Sequence, residues 1–146
     1  MKQIDVIAHV IQLSIAPAFL LSGVVSLLNV LSNRLARVID RARILEAMLP
    51  ALDEPAAKPV HHELRVLSRR GRLMYRSISF STTSALLLCF VIGALFLSAM
   101  AHYSISLVVG ALFVASMLTL TLGLLFFLRE VFLAIGTFQV GLPEHA

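Results

Sequence analysis

Residues 77–128 read SISFSTTSALLLCFVIGALFLSAMAHYSISLVVGALFVASMLTLTLGLLFFL, a run of 52 residues without Lys, Arg, Asp or Glu. About 20 residues, at a rise of about 1.5 Å each, cross the hydrocarbon core of a bilayer, so this run must fold back once. Its polar interruption is AHYS at 101–104. We therefore predict two spans, at about 79–100 and 105–128, joined by a turn.

A second charge-free run, residues 6–33, predicts a further span at about 9–31. A cleaved signal peptide would need basic residues ahead of its apolar core, and only Lys2 stands there, against Asp5. The composition agrees with a membrane protein, because 14% of the residues are charged and a soluble domain carries about 25%. We predict one all-α membrane domain over 1–146 with three transmembrane helices.

The charges indicate the orientation of these spans. Ten of the twelve basic residues and five of the eight acids lie within 34–76. Lys and Arg beside short loops are retained on the cytoplasmic side. We expect the segment at about 32–78 and the tail at 129–146 to be cytoplasmic, and the amino terminus and the 101–104 turn to face outward. Attraction to anionic lipid headgroups explains the basic segment without nucleic acid.

Apolar residues in the basic segment follow alternating spacings of four and three, before and after a proline-rich stretch. This spacing is the a/d seam of a coiled coil. Pro50, Pro55 and Pro59 predict a turn at 50–59. We therefore predict an antiparallel helical hairpin, a coiled-coil-like stalk whose helices continue the first and second spans. The predicted seam consists of Leu35, Val38, Ala42, Leu45, Leu64, Leu67, Gly71 and Met74.

Symmetric pairing of the two seams about the turn predicts the register of the hairpin. It places Val38 opposite Gly71 and Asp40 opposite Arg69. An exposed ion pair of this kind contributes at most about 1 kcal/mol. The candidate charged positions of the stalk, as ion pairs or as a ring of charge in an oligomer, are Arg34, Arg37, Asp40 and Arg69.

A polar stripe marks the first span, where Ser22, Ser26, Asn29 and Asn33 follow spacings of four, three and four. Polar residues in hydrocarbon usually face protein or water. In one interpretation the stripe packs against another helix. In the other, a ring-shaped homo-oligomer places the stripe around a pore, and cationic rings of Arg34 and Arg37 favour anions. The sequence leaves both open.

The sequence contains no nucleophile-elbow, zinc-protease, phosphate-loop or dinucleotide-binding motif, and its predicted spans contain no carboxylate. We expect no enzyme, no cofactor and no metal site. His9 and His102 are expected at similar depth on the outer side, but two histidines without a third ligand make a weak metal site. The hydroxyl cluster at 77–84 is expected to hydrogen-bond back to its own helix.

Four segments resemble a known family, the domain of unknown function 2721 (DUF2721). They are APAFLLSG at 16–23, LLNVLSNRLARVIDRAR at 27–43, ELRVLSRRGRL at 63–73 and FLREVFLA at 127–134. The resemblance implies a multi-pass protein of the bacterial inner (cytoplasmic) membrane and brings no activity with it.

Taken together, the residues favour a self-associating structural or interaction protein, with a possible protein partner on the stalk. The alternative is a homo-oligomeric, anion-preferring channel lined by the polar stripe.

Overall fold

A computed structural model of the chain describes residues 2–101 and 106–138. It consists of α1 (Lys2–Met48), a short 3-10 turn (Leu49–Ala51), α2 (Glu54–Ala101) and α3 (Ser106–Phe138), with no strand in the described part. Each helix is long and apolar enough to cross a membrane. The all-α fold with three membrane-length helices is thus confirmed. Most of the predicted 101–104 turn lies outside the described residues.

α1 and α2 are continuous helices of 47 and 48 residues. At about 1.5 Å per residue each is about 70 Å long, more than twice the roughly 30 Å of a hydrocarbon core. A large part of both helices must therefore project beyond a bilayer. The first and second spans continue directly into the hairpin helices, as predicted.

The chain reversal between α1 and α2 is shorter than the predicted turn at 50–59. It takes only residues 49–53, and both Pro55 and Pro59 belong to α2. The first N–H groups of a helix have no intrahelical acceptor, so Pro55, the second residue of α2, costs little. Pro59, the sixth, lies inside the helix and removes one hydrogen bond of its second turn. The carbonyl of Asp53 accepts the N–H groups of Ala56 and Ala57, at 3.0 and 2.9 Å, and closes that first turn.

The predicted seam residues pack together between α1 and α2. Val38, Leu45, Leu67 and Met74 are buried, and Leu35, Ala42, Val60 and Leu64 pack against them. A Cβ atom on Gly71 would lie 3.9 Å from Cγ1 of Val38, so these two residues face each other in the predicted register. Arg41 Nε also donates to Glu63 Oε1 across the two helices, at 2.9 Å. The two helices therefore run antiparallel.

The buried stripe of α1 extends far beyond the predicted seam, toward the amino end. It continues through Val10, Ser14, Pro17, Val24 and Leu31, all of them buried. These residues keep spacings of three, four or seven with the buried Val38 and Leu45. One stripe with a period of seven therefore packs α1 against α2 in the apolar segment as well as in the stalk.

α2 and α3 pack through small and hydroxyl side chains. Ser77, Ser81, Ser84 and Ser116 are all fully buried. Ser77 Oγ donates to the carbonyl of Gly123 at 2.7 Å, and Ser84 Oγ to that of Ser116 at 2.8 Å. Such residues let membrane helices approach closely.

The prediction that the hydroxyl cluster bonds back to its own helix is only partly right. It holds for Ser79 and Thr83, which donate to the carbonyls of Tyr75 and Ser79. It is wrong for Ser77 and Ser84, because their acceptors lie on α3.

Cysteines at Val38 and Gly71 are expected to form a disulfide within one chain, because a Cβ atom on Gly71 would lie 3.9 Å from Cγ1 of Val38, the position that a cysteine sulfur would take. Cys89 is replaced by Ser beforehand, and cross-linking is read from mobility on denaturing gels. Val38→Cys combined with Arg72→Cys is the matched control, since Arg72 is exposed one position away. Equal cross-linking of both pairs would contradict the register.

Gly123→Ala is expected to destabilise the protein, because its Cβ would lie 2.8 Å from Ser81 Oγ and 3.2 Å from the carbonyl oxygen of Ser77. Overpacking of this kind costs about 1–3 kcal/mol. Unfolding in mixed micelles, followed by circular dichroism, measures the effect. Gly110→Ala on the same helix is the control, since a Cβ there meets nothing within 4 Å; similar losses in both variants would refute the close α2–α3 contact.

Candidate functional site

One buried carboxylate joins all three helices. Glu130 of α3 is fully buried, with a relative exposure of 0%. Its Oε1 accepts Nη2 and Nε of Arg70 from α2, at 2.9 and 3.1 Å. Its Oε2 lies 3.0 Å from Nη2 of Arg34 on α1. We call these three residues the Glu130 triad.

The triad lies at the end of the apolar segments. Arg34 directly follows the charge-free run 6–33, and Glu130 comes two residues after the run 77–128. The guanidinium of Arg34 also lies over the ring of Phe127, 5.2 Å from its centroid. An ionised carboxylate is expensive to bury unless it is paired. Here Oε1 accepts two hydrogen bonds from Arg70, while Oε2 is in ion-pair contact with Arg34 without a hydrogen bond. The arrangement therefore suits a structural link better than a free general base.

Of the charged positions predicted for the stalk, only Arg34 forms an ion pair among the described residues. The partner of Arg34 is Glu130, a residue of the predicted cytoplasmic tail at 129–146. Asp40, predicted opposite Arg69, is exposed, as is Arg69 itself. Among the described residues, ion pairs join Arg34 and Arg70 to Glu130 and Arg41 to Glu63, and none joins Asp40 to Arg69. A signal that could have found Glu130 is its position two residues after the apolar run 77–128, beside Arg129.

The polar stripe of Ser22, Ser26, Asn29 and Asn33 is exposed along its whole length. It lies on the face of α1 away from the buried Val24 and Leu31. Ser26 Oγ donates to the Ser22 carbonyl at 3.1 Å, within α1 itself. The stripe therefore does not pack against α2 or α3 of its own chain.

A groove of ≈ 560 Å³ opens beside Ser22 and Ser26 of the stripe, between α1 and α3. Its lining residues are Phe19, Leu20, Ser22, Gly23, Val24, Ser26, Leu27, Leu120 and Leu124. It is almost entirely apolar, with the two serines at its edge. The groove and the stripe are part of the surface of α1 that its own chain leaves uncovered, which also includes apolar side chains such as Ile15, Val25 and Val30.

Two basic clefts lie beside the triad. The α1–α2 cleft has a volume of ≈ 410 Å³ and contains Arg34, Arg37, Arg41 and Arg70 together with Val38, Leu67 and Met74. The α2–α3 cleft has a volume of ≈ 230 Å³ and contains Arg69, Arg72, Arg76 and Arg129 together with Leu73 and Leu133. Arginine is thus concentrated around α2 at the end of the apolar segments.

The histidine pair lies partly outside the described residues. His9 is exposed, and His102 lies outside the described residues. Within 2–101 and 106–138, no three His, Cys, Asp or Glu side chains are grouped so that they hold a metal.

Three membrane-length helices linked by a buried ion-pair triad define a multi-pass membrane protein. A family model described as "Protein of unknown function (DUF2721)" matches residues 14–140. The chain belongs to this family, and the matched range includes the stripe and the triad. Neither the curated proteins nor the solved structures gave a match.

Glu130→Gln is expected to lower the free energy of unfolding by about 3 kcal/mol, because Arg34 and Arg70 lose their shared counter-charge. Glu63→Gln is the matched control. Glu63 pairs with Arg41 at an exposed position, where such a pair is worth about 1 kcal/mol or less. Both are measured by denaturation in mixed micelles. Equal and small losses would show that the triad does not hold the helices together.

Proposed function

We propose that this protein is a self-associating structural or interaction protein of the membrane, whose copies meet through the polar stripe of α1. The observation that carries the proposal is the exposure of Ser22, Ser26, Asn29 and Asn33. The chain buries the opposite face of α1 and leaves its most polar face uncovered. Polar side chains at membrane depth usually face protein or water rather than lipid.

The local shape of α1 also supports a helix partner. Gly23 lies beside the stripe, and a Cβ there would meet nothing within 4 Å, so a second backbone has room to approach. Ser22, Gly23 and Ser26 provide the small side chains that close membrane helix pairs use. The Asn29 amide carries both donors and an acceptor, so two copies related by a twofold axis satisfy each other.

The channel remains the second candidate, because the same exposure would place the stripe along a central path in a ring of copies. Arg37 is exposed and available for a cationic ring. Arg34 is less available, since it is committed to Glu130. The groove beside the stripe opens at the surface of a single chain, so a channel would require several copies to form an oligomer.

The remaining parts of the proposal concern location and partners. We place the protein in the bacterial inner membrane, with the amino terminus outside, the hairpin and carboxyl terminus cytoplasmic, and the basic segment near anionic headgroups. A protein partner on the stalk would use its outer face, because the seam is occupied by the hairpin itself. We propose no catalytic, cofactor-binding or nucleic-acid-binding role.

Native mass spectrometry of the protein released from nanodiscs is expected to show a defined oligomer. Asn29→Leu is expected to weaken it by about tenfold, because interhelical hydrogen bonds in membranes average about 0.6 kcal/mol, each contact loses two, and about 1.4 kcal/mol is a factor of ten. Thr83→Val is the matched control, since Thr83 is an exposed hydroxyl residue on α2. A monomeric wild type, or equal losses in both variants, would refute self-association through the stripe.

Anion flux across liposomes separates the two candidates. A structural protein gives no flux above that of empty liposomes, whatever the residue at 29. A channel gives flux in the wild type that Asn29→Leu abolishes or changes in selectivity. Flux that Asn29→Leu leaves unchanged would exclude a pore lined by the stripe.

A further inference from the structure

The two basic clefts beside α2 differ in how their charge is balanced. In the α1–α2 cleft, Arg34 and Arg70 share Glu130, and Arg41 pairs with Glu63. In the α2–α3 cleft, none of the arginines takes part in an ion pair of the described residues, and no acid lines the walls. The second cleft therefore concentrates positive charge that the described part of the chain does not neutralise.

Arginine does not lose its proton in proteins, so four guanidinium groups in one cleft repel one another at any physiological pH. One of them also makes a cation–π contact, because the Arg76 guanidinium lies over the ring of Phe126, 5.9 Å from its centroid. That ring in turn stacks on Phe80, with centroids 5.5 Å apart. The cleft thus combines unbalanced charge with a supported side chain, an arrangement that an anion would stabilise.

The depth of the cleft points to the kind of anion. Arg76 directly precedes the 52-residue charge-free run, and Arg129 directly follows it. Both therefore lie where the hydrocarbon ends and lipid phosphates begin. Arg69 and Arg72 lie one to two helical turns farther from the apolar run, and Leu73 and Leu133 supply an apolar wall.

We propose that the cleft of Arg69, Arg72, Arg76 and Arg129 binds the phosphate of an anionic phospholipid. Guanidinium groups match phosphate oxygens with paired, charge-assisted hydrogen bonds. The apolar wall accommodates the first carbons of the lipid tails. A lipid held there contacts both α2 and α3 and links them beside Glu130. The site is independent of the self-association proposed above, since it shares no residue with the stripe.

The test is a lipid titration of the full-length protein in detergent, read by native mass spectrometry. Phosphatidylglycerol is compared with phosphatidylcholine of the same acyl chains, and preferential retention of phosphatidylglycerol is expected. The double variant Arg72→Gln, Arg129→Gln is expected to weaken that retention by at least about tenfold. The double variant Arg43→Gln, Arg65→Gln is the matched control, because it removes equal charge from exposed positions outside both clefts and should change retention less than about twofold.

Arg72→Lys with Arg129→Lys keeps the charge but loses the paired hydrogen bonds, so intermediate retention is expected. Circular dichroism shows whether the glutamine variant folds. If it does not, lipid retention by the lysine variant provides the test. Equal weakening by the cleft and control variants would show a diffuse attraction and overturn the proposal. Equal retention of both lipids would overturn it too. So would full competition by inorganic phosphate at the concentration of the lipid, which would make soluble phosphate the ligand.

Discussion

The contact of Glu130 with Arg34 and Arg70 fixes how the three helices lie against one another. The buried stripe of α1 repeats every seven residues, and such a stripe packs nearly as well after a slip of one repeat, about 10 Å along the helix. A slip that brings Leu27 to the place of Arg34 would leave Oε2 of Glu130 buried without a guanidinium, although Oε1 would keep Arg70. Buried ion pairs contribute little net stability but can specify one register, and that is the role we assign to this triad.

The two helix interfaces depend on different physical forces. Outside the bilayer, Leu45, Leu67 and their neighbours are stabilised by the hydrophobic effect. Inside it, lipid is as apolar as leucine, so association depends on close packing and hydrogen bonds. The α2–α3 interface uses both, since Gly123 leaves no room for a side chain and its carbonyl accepts the hydroxyl of Ser77. The α1–α2 pair thus extends through both lipid and water. α3 packs against α2 where small residues let the two helices approach closely.

The features that sequence reasoning predicted are those recorded in local patterns. Charge-free runs predict three helices, and a spacing of four and three predicts which residues of the hairpin meet, including Val38 and Gly71. The triad was not predicted, because Arg70 and Glu130 are 60 residues apart and no periodicity connects them. The turn was predicted too long, because Pro55 and Pro59 were taken as helix breakers although they belong to the beginning of α2. The stripe was identified as one face of α1, but sequence alone does not show which face the chain itself covers.

The triad also explains why the two basic clefts differ in their balance of charge. Arg34 and Arg70 are drawn toward Glu130, which leaves the α1–α2 cleft with four arginines against two acids, Glu130 and Glu63, whereas no acid lines the α2–α3 cleft. Arg69 and Arg72 flank Arg70 on the same helix, yet they are exposed and line the cleft toward α3. On α1 the stripe occupies the face opposite the buried seam. Self-association and lipid binding would therefore use separate residues on separate helices. A lipid held between α2 and α3 would reinforce the helix contact beside Glu130.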